Sequence, residues 1–191
     1  MARNKEFDEN EALRKAMELF WQQGYEKTSM NDLVNHMGVH RRSIYDTFGD
    51  KRTLFMSALT HYEEVIMMKM KKKIESELPV KQVIREVFEM VIYPNNNQPI
   101  GCFSVNAAVE LSLLDQEVAT KITEMFTKTE TLFYELLKHG QEQGEISKHH
   151  DIKGLSLFLH NALVGIRVLV KTTDDKQKLE SIIDLTLSTL E

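Results

Sequence analysis

A group of hydrogen-bond donors between residues 28 and 51 is the feature of this sequence with the most readable chemistry. Its members are Thr28, His40, Arg41, Arg42, Ser43, Tyr45, Thr47 and Lys51. Cationic and hydroxyl side chains donate to phosphate oxygens, and arginine can also pair with the edge of guanine in the major groove of DNA. The residue types therefore predict contacts with double-stranded DNA.

Two short helices are predicted to position these donors. The first begins at Thr28, whose hydroxyl we expect to cap it, and ends at Gly38, which can adopt the positive φ of a tight turn. The second covers about residues 40–48, and two helical turns suit a major groove about 12 Å wide. The side chains expected to point inward from this second helix are Ile44, Tyr45 and Phe48.

The charge of the chain shows that any DNA contact must be local. The formal net charge is -5, so the whole molecule is not a general binder of polyanions. Between residues 28 and 52 the four basic residues Arg41, Arg42, Lys51 and Arg52 stand against three acidic ones. Charge alone therefore leaves open the alternative that this segment is only the polar face of a helical bundle.

The rest of the chain predicts an all-α fold, because apolar residues recur at helical spacing and no stretch alternates as a strand does. A loop is predicted at residues 93–99, and the last two helices are predicted at about residues 151–172 and 175–190. The longest apolar stretch, Leu157 to Val170, is judged too short and too polar to span a membrane. The single cysteine excludes an internal disulfide and favours a reducing cytoplasm.

The segment from Ala16 to Leu54 resembles the DNA-binding domain of the TetR family of bacterial repressors. The matching residues are Phe20, Gly24-Tyr25 and Thr28-Ser29, the turn Met37-Gly38-Val39, and the exit Ser43-Ile44-Tyr45, Phe48, Lys51 and Leu54. The match has several points at the correct spacing, and the chain length and the helical remainder also agree with the family.

The resemblance implies a helix-turn-helix DNA-binding domain at residues 1–54 and a larger helical ligand-binding and dimerisation domain at residues 55–191. It implies that His40, Arg41, Arg42 and Ser43 face the groove, while Thr28, Tyr45 and Lys51 hold the DNA backbone. It further implies a homodimer formed through the last two helices. A small, mostly apolar or electrophilic inducer would release this repressor from a palindromic operator.

The candidate ligand pocket is taken from the large and polar side chains of the central helices. These residues are Phe88, Met90, Tyr93, Cys102, Phe103, Asn106, Met125, Phe126, Phe133, Phe158 and Asn161. Methionine and aromatic walls with a few amides would suit a mostly apolar small molecule. The alternative for each residue is an ordinary place in the core.

Cys102 is a candidate sensor because it lies where a loop gives way to a helix, and a helix N-terminus lowers the pKa of a thiol. Some TetR-like repressors that respond to electrophiles have a similar Gly-Cys pair at this point. The hypothesis is that the thiol senses oxidants or reactive carbonyls. The alternative is a small buried hydrophobic residue.

Other classes of function have less support in the sequence. None of the short motifs of nucleotide-binding, hydrolase or metalloprotease sites is present, so we expect no enzyme and no cofactor. His149-His150-Asp151 is not expected to bind a metal, because adjacent residues seldom reach the same ion. A helical interaction module that does not bind DNA, and a transcriptional activator, remain alternatives.

Overall fold

The computed structural model describes residues 7–94 and 98–191, and within these ranges every regular element is an α-helix. The helices are α1 Glu9–Gln23, α2 Met30–Met37, α3 Arg41–Phe48, α4 Lys51–Ile74, α5 Val80–Ile92, α6 Phe103–Leu111, α7 Gln116–Gln143, α8 Ile152–Leu169 and α9 Lys176–Ser188. The predicted all-α fold is confirmed. The start of the predicted first domain, residues 1–6, and the middle of the predicted loop, residues 95–97, lie outside the described residues.

Capping side chains and glycines define the ends of the helices around the predicted turn. Gly38 follows α2 with φ 69°, the left-handed conformation that a side chain would disfavour, and its N–H donates to the carbonyl of Val34. The prediction that Thr28 caps α2 is wrong. Ser29 is the cap, and it forms a reciprocal capping box with Asp32, whose side chain accepts from the Ser29 N–H at 2.9 Å.

The first hydrophobic core joins α1 to α4 with α6 and the start of α7. Its centre is a series of aromatic rings that pack edge to face. The ring centroid of Phe55 lies 5.2 Å from that of Phe20 and 5.4 Å from that of Phe103. Tyr62 then contacts both Phe103 and Trp21. The N-terminal helices are therefore packed directly on the middle of the chain.

The second core lies between α5, α7, α8, α9 and the end of α4. α4 runs without a break from Lys51 to Ile74 and contributes Leu54 to the first core and Met70 to the second. The proposed boundary at residue 54 therefore falls inside a continuous helix. A movement of α4 would affect both cores.

The apolar helix α8 corrects one expectation from the sequence. By length and composition alone, Ile152–Leu169 is sufficient to cross a membrane. In the structure this helix packs against α7, α6 and α9, and its buried side includes the polar residues His160 and Arg167. These contacts are those of a core helix.

Candidate nucleic-acid interface and ligand cavity

α3 presents a polar face to solvent at the N-terminal end of the molecule. His40, Arg41, Arg42 and Tyr45 are exposed, Ser43 and Thr47 are half-buried, and Ile44 is fully buried beneath them. The expectation that Tyr45 points inward is wrong, because 45% of this residue is exposed; the fully buried Ile44 and the partly buried Phe48 pack α3 on the core. The tyrosine hydroxyl is therefore on the same accessible surface as the arginines.

The two arginines of this face are held differently. The Arg41 guanidinium donates to the side-chain oxygen of Asn31 on α2, which ties the start of α3 to its partner helix. Arg42 is 89% exposed and lies 3.6 Å from Asp46, one helical turn away. An exposed pair at this distance has little strength, so Arg42 is free to exchange Asp46 for a phosphate or a base.

Thr28 and Lys51 serve the local fold in this structure. Thr28 is completely buried, and its hydroxyl donates to the carbonyl of Gly24 at 2.6 Å. The Lys51 ammonium donates to the carbonyls of Tyr25 and Thr28 at 3.0 Å and lies over the Tyr25 ring. The Thr28 hydroxyl is therefore held inside the turn, and Lys51 holds the same turn, which leads into α2.

A pair of hydrogen bonds to a carboxylate and one ion pair connect these N-terminal helices to α6 and α7. The carboxylate of Glu110 accepts from the backbone N–H groups of Tyr25 and Glu26, both at 2.9 Å. Arg52 donates through two nitrogens to Asp115, at 2.8 and 3.0 Å. Because Asp115 also caps α7, this pair connects the start of α4 to the start of α7.

A cavity of about 630 Å³ lies behind this junction, between α1, α4, α5, α8 and the loop before α6. Apolar side chains form most of its inner surface, including Ile66, Met70, Val87, Met90 and Val91. Its volume is in the range of sites for small organic ligands. Met90 and Tyr93 are the two predicted pocket residues that line it.

Cys102 lies next to the cavity but is buried behind it, as the cap residue of α6. Its sulfur accepts from the Tyr62 hydroxyl at 3.2 Å and lies 3.0 Å from the Ser104 hydroxyl. Burial opposes ionisation of the thiol, but the charge of Arg167 and these hydrogen bonds outweigh it and lower the pKa of Cys102 below its usual value.

Gly101 explains how Cys102 and Arg167 come together. It has φ 89°, and a Cβ at this position would lie 3.2 Å from the backbone oxygen of Arg167 and closer still to the Lys171 side chain. Only glycine allows the loop to pass this close to α8 in that conformation. The Gly-Cys pair therefore has a structural role in addition to any reactivity of the thiol.

The other predicted pocket residues lie elsewhere. Phe88 and Phe133 pack together in the second core, Phe103 and Met125 belong to the first, and Phe126 packs against His160. The Asn106 amide donates to the carbonyl of Trp21 at 3.1 Å, so it links α6 to α1.

Phe158 and Asn161 do not line this cavity, since both are exposed on the outer side of α8. The apolar residues of this helix cover more than one face, and the sequence does not show which face is internal.

Three functional candidates were missed from the sequence: Trp21, Tyr62 and Arg167, all of which line the cavity. One signal was available for Arg167. It follows His160 by seven residues, which places the two polar side chains on the same face of an apolar helix, and both are buried. Trp21 lies on α1 and reaches the cavity only through tertiary packing, so no local sequence pattern indicates that it lines the cavity.

Comparison with known protein families gives two matches that together cover most of the chain. Residues 12–58 match the model described as bacterial regulatory proteins of the tetR family. Residues 80–185 match the model described as a tetracyclin repressor-like C-terminal domain. The first match contains α2, α3 and the exposed polar face described above.

Comparison with individual proteins points the same way. The chain is 34% identical to the uncharacterized HTH-type transcriptional regulator YezE of Bacillus subtilis (strain 168), over the full length of both. It is 31% identical to the HTH-type transcriptional repressor ComR of Escherichia coli (strain K12), covering 97% of this chain and 90% of ComR. A cysteine mutant of the TetR family regulator CifR, complexed with 26-base-pair operator DNA, has a similar structure, with TM-score 0.89 and 25% identity over 99% of this chain and 100% of that one.

Proposed function

The chain belongs to the tetR family of bacterial regulatory proteins, and we propose that it represses transcription by binding an operator through α3. The observation that carries this proposal is the exposed face of α3, which presents His40, Arg41, Arg42 and Tyr45 to solvent. The named repressor ComR and the DNA-bound regulator CifR support it. The proposal assigns a cytoplasmic location, no catalysis and no cofactor.

We propose that the protein acts as a homodimer formed through α8 and α9. The outer side of α8 exposes Leu157, Phe158 and Val168, and α9 exposes Leu185, which is 73% accessible. Gly165 lies on the same side with open space beyond it, which would allow a close approach of another helix. Two copies of α3 would then read two half-sites related by a two-fold axis.

The cavity beside Cys102 is the proposed site of the inducer. Its lining includes Trp21 from α1 and Arg167 from α8, so a molecule within it would contact both the DNA-binding helices and the proposed dimer helices. A ligand that fits only one separation of the two α3 helices would shift the population away from the DNA-bound arrangement. The lowered pKa of Cys102 supports a response to small electrophiles as part of this proposal.

The experiment that tests the proposal is equilibrium binding to DNA from upstream of the protein's own gene, measured across a salt series. We expect tight binding that weakens steeply with salt, because each neutralised phosphate releases counterions. Arg42→Ala should weaken binding by about 1–3 kcal/mol if the guanidinium reads a base. Arg85→Ala is the matched control, because Arg85 pairs with Asp184 on α9, away from α3.

Two results would contradict the proposal. Absence of sequence-preferring binding at any salt concentration, for the upstream DNA and for a library of random duplexes, would favour an interaction module of the same fold. Equal losses of DNA affinity in Arg42→Ala and Arg85→Ala would show that the DNA does not bind specifically at the exposed face of α3.

A further inference from the structure

The cavity contains a buried positive charge that has no partner. Arg167 lies in the cavity wall and is 8% exposed, and within the described ranges no carboxylate or hydrogen-bond acceptor contacts its guanidinium. Removing a charge from water without pairing it is costly, and such arginines are normally paired in folded proteins. A partner that is present only when a ligand binds would explain why the charge is retained there.

A second donor in the same wall also lacks an acceptor. The indole Nε1 of Trp21 is fully inaccessible to solvent and has no hydrogen-bond partner in the described part of the chain, although buried indole N–H groups usually find one. The hydroxyl of Tyr62, which also lines the cavity, is already donated to Cys102. Because this N–H is inaccessible, the donor that faces the cavity without an acceptor is the Arg167 guanidinium.

The remaining charges of the lining have the same sign. Lys69 and Lys72 line the cavity and have no carboxylate partner among the described residues, while Lys73 pairs with Glu86 at 2.6 Å. Glu86 is the one acidic side chain among the described lining residues. The cavity is thus positive at its rim and at Arg167, with an apolar surface between them.

We propose that the cavity binds an amphipathic carboxylate. Its carboxylate accepts from the Arg167 guanidinium, and its apolar body lies among Ile66, Met70, Val87 and Met90. The planar guanidinium fork matches a carboxylate, and one arginine suits a single negative charge. This inference rests on the proposed inducer-regulated function and specifies the chemical class of the inducer.

The thiolate of Cys102 is the competing counter-ion for Arg167, since the arginine charge favours its ionisation. That pairing would not use the apolar volume of the cavity. The two accounts differ in Cys102→Ser, which removes the thiolate. A carboxylate site built on Arg167 retains its preference for carboxylates over amides in that variant.

The test compares two carboxylates, decanoate and 4-phenylbutyrate, each with its own primary amide. Binding to the full-length protein is measured by calorimetry and by the fluorescence of Trp21, which is the only tryptophan in the chain. We expect each carboxylate to bind at least about tenfold more tightly than its amide, as for loss of one hydrogen bond to a charged group. Arg167→Gln should remove this difference, and Arg85→Gln and Cys102→Ser should preserve it.

Several results would overturn the proposal: amides that bind as tightly as the acids, no binding of any of the four probes, or an undiminished preference in Arg167→Gln. Loss of the preference in Cys102→Ser would also overturn it and favour the thiolate account. Arg167→Gln is expected to fold, because it removes an unpaired buried charge, and its thermal unfolding should occur at or above the wild-type temperature.

DNA binding without probe is measured separately on the same samples. Failure of DNA binding with an intact carboxylate preference would contradict the repressor function and leave the ligand class standing. Intact DNA binding together with no preference for the carboxylates would contradict only the proposed ligand class.

Discussion

Cys102 shows how one residue can combine a structural place with a chemical property. The thiol is buried at the start of α6, where it accepts from Tyr62 and lies beside Ser104. Burial alone would raise its pKa, and the neighbouring Arg167 reverses that effect. Its ionisation therefore depends on a residue that also lines the cavity.

We predict that Arg167→Gln raises the pKa of Cys102. The substitution removes the favourable charge while the burial of the thiol remains. The measurement is the pH dependence of the rate of thiol alkylation, which reports a single group because the chain has one cysteine. Lys171→Gln, which removes a nearby exposed cation paired with Asn106, is the control and should leave the titration close to that of the wild type. An unchanged titration in Arg167→Gln would show that the hydrogen bonds alone set the pKa.

At the scale of elements, hydrogen bonds and an ion pair connect the N-terminal helices to α6 and α7. Glu110 on α6 holds the backbone between α1 and α2, and Arg52 on α4 holds Asp115 at the start of α7. Because Trp21 on α1 lines the cavity, a ligand would act on the same group of helices. The structure thus provides a short physical path from the cavity to α3.

The Arg52–Asp115 pair gives a prediction for acid stability. The guanidinium of Arg52 and the backbone N–H groups of α7 hold the pKa of Asp115 at about 2 in the folded chain, against 3.8 for a free aspartate. This contribution to the free energy of unfolding is complete above about pH 4 and is lost as the pH falls towards 2. Asp115→Asn, which can still cap α7, should therefore lose less stability than the wild type over this interval.

Urea unfolding at a series of pH values measures that difference. Asp174→Asn is the control, since it neutralises an exposed carboxylate in the turn before α9. Parallel stability curves for the wild type and Asp115→Asn would contradict the assigned role of the pair.

The positions of the helices were largely predictable from the sequence, whereas the orientation of single side chains was not. Gly38 and the cap Asp50 define their helix ends through local backbone chemistry that a short stretch of sequence contains. Tyr45 was expected to point inward, but α3 is short, and Ile44 and Phe48 already make its contact with the core. The choice between Thr28 and Ser29 as the cap depended on Thr28 finding a carbonyl of the preceding turn.

The lining of the cavity was less predictable from the sequence than the polar face of α3, for a physical reason. The polar face of α3 is contiguous in sequence, so its residue types indicate its role. Trp21, Tyr62 and Arg167 come from three separate helices and meet only through the packing of the two cores. Phe158, which resembles a pocket residue in composition, lies instead on the outer side of α8.

At the scale of the whole molecule, the exposed apolar side of α8 and α9 predicts the oligomeric state. Phe158→Glu places a charge in the proposed interface, where its burial would be unfavourable, and we expect a monomer in sedimentation experiments. Met68→Glu introduces the same charge at an exposed apolar residue of α4 and should remain a dimer. A wild-type protein that is monomeric at micromolar concentration would contradict the dimer.

The most direct test of the central claim is a selection of DNA sequences from a library of random duplexes, carried out with the wild type and with Arg41→Ala/Arg42→Ala. The wild type should enrich an inverted repeat whose half-site centres lie about 10–10.5 base pairs apart or a multiple of that spacing. The double variant should lose this enrichment while keeping its helical content. Failure of the wild type to enrich any sequence, or enrichment of the same repeat by the double variant, would contradict DNA recognition through α3.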